Sequence, residues 1–251
     1  MSDNKSFSNY FNSSPFMRTL FIATQSIYSR HLKEISTNHN YRGTFDNYGT
    51  EKEKYLKSIM TLIGLVQSYF DDLDKVVSFL KVDKNKISLL YGEAMEIDDY
   101  YKYHYDNFII RIVTSIDLCG KVGNLIFNLA IEERYSNWYS FATHPLIKNT
   151  DSAKCIQEFS NYLEDFKNQR HAKVHKGENP QNRFDKIVFW DTLNKVIGKQ
   201  DDMDAKILSE HTNGQIQEAI SEIEKTISET ARLTFVFLES MITRLEEIVK
   251  D

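Results

Sequence analysis

Glycine, proline and cysteine are scarce in this 251-residue chain, which contains 9 Gly, 3 Pro and 2 Cys. Folds with many turns need more of the two backbone breakers, so their scarcity favours long helices over sheets. Cys119 and Cys155 form no CxxC or zinc-ligand spacing, and we expect two buried thiols in a reducing compartment. The composition therefore favours an all-α fold.

Long apolar runs are also missing, and no stretch approaches the 18 residues of a membrane span. The first residues, Met-Ser-Asp-Asn-Lys-Ser, are not followed by the apolar core of a signal peptide. We therefore expect a soluble, cytoplasmic protein with no membrane partner. The net charge of −5 means that any nucleic-acid contact must come from a local basic patch.

The clearest pattern is a stripe of apolar residues at alternating +4 and +3 spacing, which keeps side chains on one face of an α-helix. It consists of Ile59, Ile63, Val66, Phe70, Leu73, Val77 and Leu80 and predicts a helix over 51–80. Similar patterns predict long helices over about 15–39, 99–133, 153–170 and 201–249, and short ones near 87–90 and 183–197. Loops are expected over 38–50 and 135–149, and a turn over 176–180.

These elements predict an antiparallel helical bundle with long helices. Residues 1–14, rich in Ser and Asn, are expected to be flexible, and 15–251 to form one helical domain. Within that domain we place an N-terminal helical extension over about 15–95 and a bundle over about 99–250. Gly120 and Gly123 interrupt a helix, which predicts close approach of another segment there.

One segment, Arg170-His171-Ala172-Lys173-Val174-His175, combines charge with proton-transfer chemistry. Residues 165–186 carry six basic and three acidic side chains, whereas 201–251 carry five basic and twelve acidic. Arginine offers a planar fork of donors to phosphate oxygens, and histidine can exchange a proton near neutral pH. RNA supplies its own nucleophile, the 2′-OH, so this pair could support cleavage without a metal.

The segment resembles the ribonuclease motif of the HEPN superfamily, small helical bundles that carry an Arg, four to six residues, and then a His. Arg170 and His175 fit that spacing, and His171 stands at the polar position that follows the Arg. Related toxins that are paired with nucleotidyltransferase antitoxins carry a Tyr two residues after the His. Gly177 stands there in this chain, which argues against control by modification of that Tyr.

The resemblance implies a metal-independent endoribonuclease without cofactors, acting as a toxin or phage-defence effector. Arg170 would stabilise the charge of the transition state, His175 would be the general acid or base, and His171 would position the phosphate. Lys173 and Lys176 would bind the RNA backbone. The resemblance also implies a homodimer with two motifs at one cleft, and an antitoxin or defence partner.

Four other interpretations, of these and of neighbouring candidate residues, are alternatives. Arg170 and His175 could only complement a helix C-terminus, in a non-catalytic interaction or scaffold module. His171 and His175, four apart, could bind a metal, although Ala172 replaces the Glu of a zincin and no third ligand is visible. Asp117 could line the cleft and orient a catalytic group, while the tyrosine-rich segment 100–105 could stack bases but more often packs against a bundle.

Overall fold

Helices dominate the computed structural model, which describes residues 6–37, 49–92, 96–176, 184, 189, 193 and 202–250. Within those ranges 87% of residues are helical and no strand occurs, which confirms the predicted all-α class. The α-helices of the described ranges are α1 (Phe7–Ser13), α2 (Pro15–Thr37), α3 (Glu51–Leu80), α4 (Lys84–Tyr91), α5 (Ile97–Phe127), α6 (Trp138–Ala142), α7 (Asp151–Tyr162), α8 (Glu164–Lys176), α9 (Asp202–Glu239) and α10 (Ile242–Lys250).

Helix α3 has the predicted bounds, because its apolar stripe and the capping residues at its start both lie within or next to the helix. The backbone N–H of Glu53 donates to Thr50 Oγ1 at 3.3 Å, and the Thr50 N–H donates to Glu53 Oε2 at 2.9 Å. This reciprocal capping box satisfies two amides that a helix N-terminus leaves without partners. The residues of the predicted stripe are all buried.

The N-terminus differs from the expected flexible segment, because residues 7–13 form α1. Phe7 is buried, and its ring stacks on Phe70 with centroids 4.3 Å apart and lies 4.9 Å from Phe235. These partners are distant in sequence, so the Ser- and Asn-rich composition of the segment did not reveal them. Burial of one aromatic side chain supplies the free energy that orders this short helix.

Helix α5 ends earlier than predicted, at Phe127 rather than near residue 133. Asn128 adopts the left-handed conformation with φ of 49°, and the Leu129 N–H bonds back to the carbonyl of Asn124. Asparagine is one of the few residues that tolerates this C-terminal geometry. The segment predicted as a loop over 135–149 also contains α6, which starts at a capping box between Asn137 and Ser140.

The final predicted helix is two helices, because the chain turns at Ser240 between α9 and α10. The Ser240 hydroxyl donates to the carbonyl of Phe237 at 2.5 Å, and the Ser152 hydroxyl of α7 donates to the Ser240 carbonyl at 3.1 Å. Serine side chains that bond nearby carbonyls compete with helical hydrogen bonds. A polar link to α7 thus accompanies the interruption.

The described chain divides into two compact units that each take part of α3, α5 and α9. The first unit comprises Met1–Phe70, Thr114–Tyr162 and Thr230–Asp251, and the second comprises Asp71–Val113 and Leu163–Glu229. The single-domain organisation stays a prediction. Most residues of three predicted segments, the turn over 176–180, the short helix over 183–197 and the loop over 38–50, lie outside the described residues.

Both helical glycines of α5 mark close packing in the first unit, as predicted. A Cβ at Gly120 would collide with backbone atoms of Asn137 and Trp138, and one at Gly123 would collide with the Phe141 ring. The cysteine prediction is half right: Cys119 is fully buried, whereas Cys155 is only partly buried, and both are free thiols. Burial raises the pKa of the Cys119 thiol to about 12.

Candidate functional site

The candidate motif lies inside a helix, because α8 continues through Lys176. The sequence predicted one helix from about residue 153 to near Arg170, with the motif after it. This is wrong, because the segment forms two helices, α7 and α8, and the motif lies inside the second. Residues such as Gln169, Ala172 and Lys173 are good helix formers, and the first glycine after them is Gly177. A cluster of basic residues does not terminate a helix, so the motif occupies the last two turns of α8.

One side of α8 packs on α5 within the second unit. Phe166 meets Phe108 edge to face with ring centroids 5.5 Å apart. The Tyr105 hydroxyl lies 3.4 Å from Gln169 Oε1 as a donor, and the Lys173 ammonium forms an ion pair with Asp106. The α8 residues in these contacts are spaced three and four apart, so they define the inner side of the helix.

The opposite side of α8 carries both histidines of the motif. His171 and His175 are exposed, and their ring centroids are 5.0 Å apart. Residues four apart differ by about 40° around an α-helix, so the two rings stand one above the other. Val174 and Lys176 are also exposed, which leaves the last turn of α8 open on this side.

Arg170 occupies a different side of the helix from His175. Residues five apart differ by about 140° around the axis and by about 7.5 Å along it. Arg170 lies one turn after Phe166, near the inner side, and is partly buried. The Cα–Cβ bonds of Arg170 and His175 therefore diverge, and the two side chains leave α8 from different faces of the helix.

The charges of α8 follow the helix dipole. Glu164 and Asp165 occupy the first turn, and Lys173, His175 and Lys176 occupy the last. This distribution stabilises an isolated helix by about 0.3–1 kcal/mol for each well-placed charge, whatever else the residues do. The helix dipole alone is therefore enough to explain basic residues at these positions, and their charge by itself is no evidence of a catalytic role.

The predicted binding residues differ in their surroundings. Lys173 is paired with Asp106, and both side chains are about one-quarter to one-third exposed. Lys176 is exposed at the end of α8. The sequence did not predict the pairing of Asp106 with Lys173, because the two residues are 67 positions apart and no local pattern links them. The ion pair neutralises much of the Lys173 charge, so Lys176 is the better placed of the two to meet a polyanion.

Asp117 belongs to the first unit, whereas the motif belongs to the second. It lines a pocket of about 750 Å³ together with Tyr69, Lys121 and Asn137. Lys121 also lies 3.7 Å from the Glu133 carboxylate as a weak ion pair. The pocket has both polar and apolar lining and carries charges of both signs, and nothing in it assigns Asp117 a role toward Arg170 or His175.

The tyrosine-rich start of α5 packs within the second unit, as the sequence favoured. Tyr100, Tyr101 and Tyr105 are buried, while Tyr103 is 58% exposed. The Tyr101 ring stacks on Phe184 with centroids 5.3 Å apart. His104 is buried between Phe79 and Tyr100, and this burial lowers its pKa. Three of the four tyrosines are thus unavailable for base stacking.

The described residues contain no group of three His, Cys, Asp or Glu side chains arranged to hold a metal ion. In the same ranges, no helix is both long and apolar enough to cross a membrane.

The long helices of the described residues, with no strand among them, define an all-α protein. The sequence model of the Cthe2314-like HEPN family matches residues 64–248, about three quarters of the chain. The chain therefore belongs to the HEPN superfamily. The match begins within α3 and leaves α1 and α2 outside it. No curated protein and no solved structure matches the chain at a significant level.

Proposed function

We propose that this HEPN protein is a metal-independent endoribonuclease whose site includes Arg170, His171 and His175. The observation that carries the proposal is the exposed His171–His175 face at the end of α8, one residue after Arg170, in a chain of this superfamily. The 2′-OH of RNA attacks the adjacent phosphate, so the protein must move protons and stabilise charge.

Each residue has one role in this scheme. His175 takes the proton from the 2′-OH or gives one to the departing 5′-oxygen, which is the work for which imidazole is suited near neutral pH. Arg170 donates to the phosphate oxygens as negative charge grows in the transition state. His171 positions the phosphate, and Lys176 and Lys173 hold the neighbouring backbone, where cations contribute to binding.

The separation of Arg170 from His175 around α8 favours a site shared by two chains. In a two-fold dimer the same surface faces itself, so α8 of one chain would meet α8 of the other. The Arg170 of one protomer and the His175 of its partner could then approach one phosphate from opposite sides. The helix geometry thus supports the homodimer that the resemblance implies.

A complementation experiment tests this arrangement directly. Arg170→Ala and His175→Ala proteins are each expected to be inactive, but a mixture that exchanges subunits contains heterodimers with one intact composite site. Equal mixing should restore about a quarter of the wild-type activity, since half of the dimers are mixed and each has one site. A mixture as inactive as the two separate proteins, although it forms heterodimers, would exclude a shared site.

The biological role proposed is that of a toxin or phage-defence effector in the cytoplasm, held in check by an antitoxin or another defence partner. Cleavage of cellular or invading RNA would halt growth. Induced expression of the wild-type chain should arrest bacterial growth, whereas expression of His175→Ala at the same level should not. Equal growth arrest by wild type and His175→Ala would show that the toxicity does not depend on the motif.

A second candidate function is a non-catalytic interaction module, and the outer face of α2 favours it. Phe21, Leu32 and Ile35 are 59%, 63% and 49% exposed, and with Tyr28 they form a stripe beside the buried face of α2. Contiguous exposed apolar side chains often mark protein contacts. Leu32→Ser should weaken a partner complex if this function holds, and should leave RNA cleavage unchanged.

A further inference from the structure

His171 and His175 stand four residues apart on one exposed side of α8, with ring centroids 5.0 Å apart, and this spacing allows two imidazoles of one helix to share a metal ion. We propose that His171 and His175 together bind a divalent transition-metal ion such as Zn²⁺, and that the bound ion switches off the ribonuclease site. The binding stands on the geometry of α8 alone, whereas the inhibition rests on the proposed function. The sequence shows no third protein ligand for a metal, but a chelate needs only two.

The distance between the rings fits two bonds to one ion. Zn–N bonds of about 2.0–2.1 Å, with about 1.1–1.2 Å from each nitrogen to its ring centre, place two bound imidazoles about 4.5–5.2 Å apart for bond angles of about 90–109°. The observed separation of the centroids is 5.0 Å. The helix therefore holds the two rings at a suitable separation before any ion arrives.

The surroundings admit an ion and its remaining ligands. Both histidines are exposed, and the neighbouring residue Ala172 is too small to cover them. Water molecules can complete the coordination, because no further His, Cys, Asp or Glu joins the pair among the described residues. Imidazole nitrogens suit Zn²⁺, Ni²⁺ and Cu²⁺, whereas Mg²⁺ prefers oxygen ligands, so the site should discriminate between these ions.

The consequence for catalysis follows from the lone pair that the metal occupies. A histidine nitrogen bound to Zn²⁺ can neither accept a proton from the 2′-OH nor carry one to the leaving oxygen. His175 would thus lose its proposed role while Arg170 keeps its charge. Release of the ion restores the base, so cleavage would depend inversely on the concentration of free transition metal.

Calorimetry with ZnCl₂ and protein without a histidine tag tests the binding. Wild type should bind one Zn²⁺ per chain in the micromolar range, and MgCl₂ should give no heat of binding. Removing either ligand in His171→Ala or His175→Ala should weaken binding about tenfold or more. His211→Ala is the matched control, because His211 is an exposed helical histidine with no second histidine one turn away, and it should bind as wild type does.

The outcomes separate the two parts of the proposal. Absence of Zn²⁺ binding by wild type, or equal binding by His171→Ala, would refute the chelate. RNA cleavage that persists at full Zn²⁺ occupancy would refute the inhibition. A wild-type protein that binds Zn²⁺ but cuts no RNA in EDTA would overturn the proposed ribonuclease function and leave the metal site standing.

Discussion

Gly120 and Gly64 both lie inside helices of the first unit, but an added methyl group would meet different surroundings at the two positions. At Gly120 the new Cβ would collide with the backbone of Asn137 and Trp138, which cannot move as a side chain can. At Gly64 nothing lies within 4 Å of it. The pair therefore separates the cost of crowding from the gain in helix propensity.

The propensity gain should be nearly the same at both positions, about 0.8–1.0 kcal/mol for Gly→Ala in a helix interior. Gly64→Ala should show all of it and raise the melting temperature by about 2–4 °C. Overpacking in a dense interior costs about 1–3 kcal/mol, and the cost should be at the upper end where backbone is the obstacle. Gly120→Ala should therefore be destabilised by about 1–2 kcal/mol overall.

Urea denaturation followed by circular dichroism at 222 nm measures both effects under one set of conditions. Gly64→Ala controls for any general effect of alanine on the helices or on the denatured chain. If Gly120→Ala were as stable as Gly64→Ala, the close approach of α6 to α5 would be wrong, and with it the packing argument for both glycines of α5.

Three further predictions concern the thiols, a buried histidine and the reaction products. Iodoacetamide should label native Cys119 much more slowly than Cys155, because burial raises the pKa of Cys119 to about 12. After unfolding, the two cysteines should react at similar rates. Faster labelling of Cys119 in the native protein would contradict its burial. Burial lowers the pKa of His104, so the unfolded chain binds its proton first and stability falls as pH drops below about 6.5. In urea titrations, His104→Gln should therefore lose less free energy of unfolding than wild type between about pH 7 and 5. An equal pH dependence for both proteins would contradict the burial of His104. Cleavage in EDTA should yield 2′,3′-cyclic phosphate and 5′-OH ends and spare DNA of the same sequence, whereas cleavage of that DNA would exclude 2′-OH attack.

Local signals accounted for most of the fold. The apolar stripe of α3 and its start at Thr50 lie in adjacent residues, so its bounds were predictable. Features that depend on distant partners were not. Helix α1 is ordered by contacts of Phe7 with Phe70 and Phe235, and the turn at Ser240 is linked to Ser152.

The sequence was sufficient to propose candidate residues for the site, but not to predict how they are arranged. Motif spacing identified Arg170 and His175, and the family match supports the superfamily. Their separation around α8 depends on how far the helix continues, and no residue between them signals its end. The pairing of Lys173 with Asp106 needed the packing of α8 on α5, which sequence spacing does not reveal.

Cleavage of one labelled RNA by the wild-type and His175→Ala proteins, in EDTA, shows whether His175 takes part in the reaction. His175 is exposed, so its removal should leave the circular dichroism spectrum and the oligomeric state unchanged. The account predicts a rate lower by about 10²–10⁴ for His175→Ala, because the proton-transfer group is lost. His211→Ala should cut at the wild-type rate. Equal cleavage by wild type and His175→Ala would mean that the motif only stabilises α8, and that this protein is not a ribonuclease acting through it.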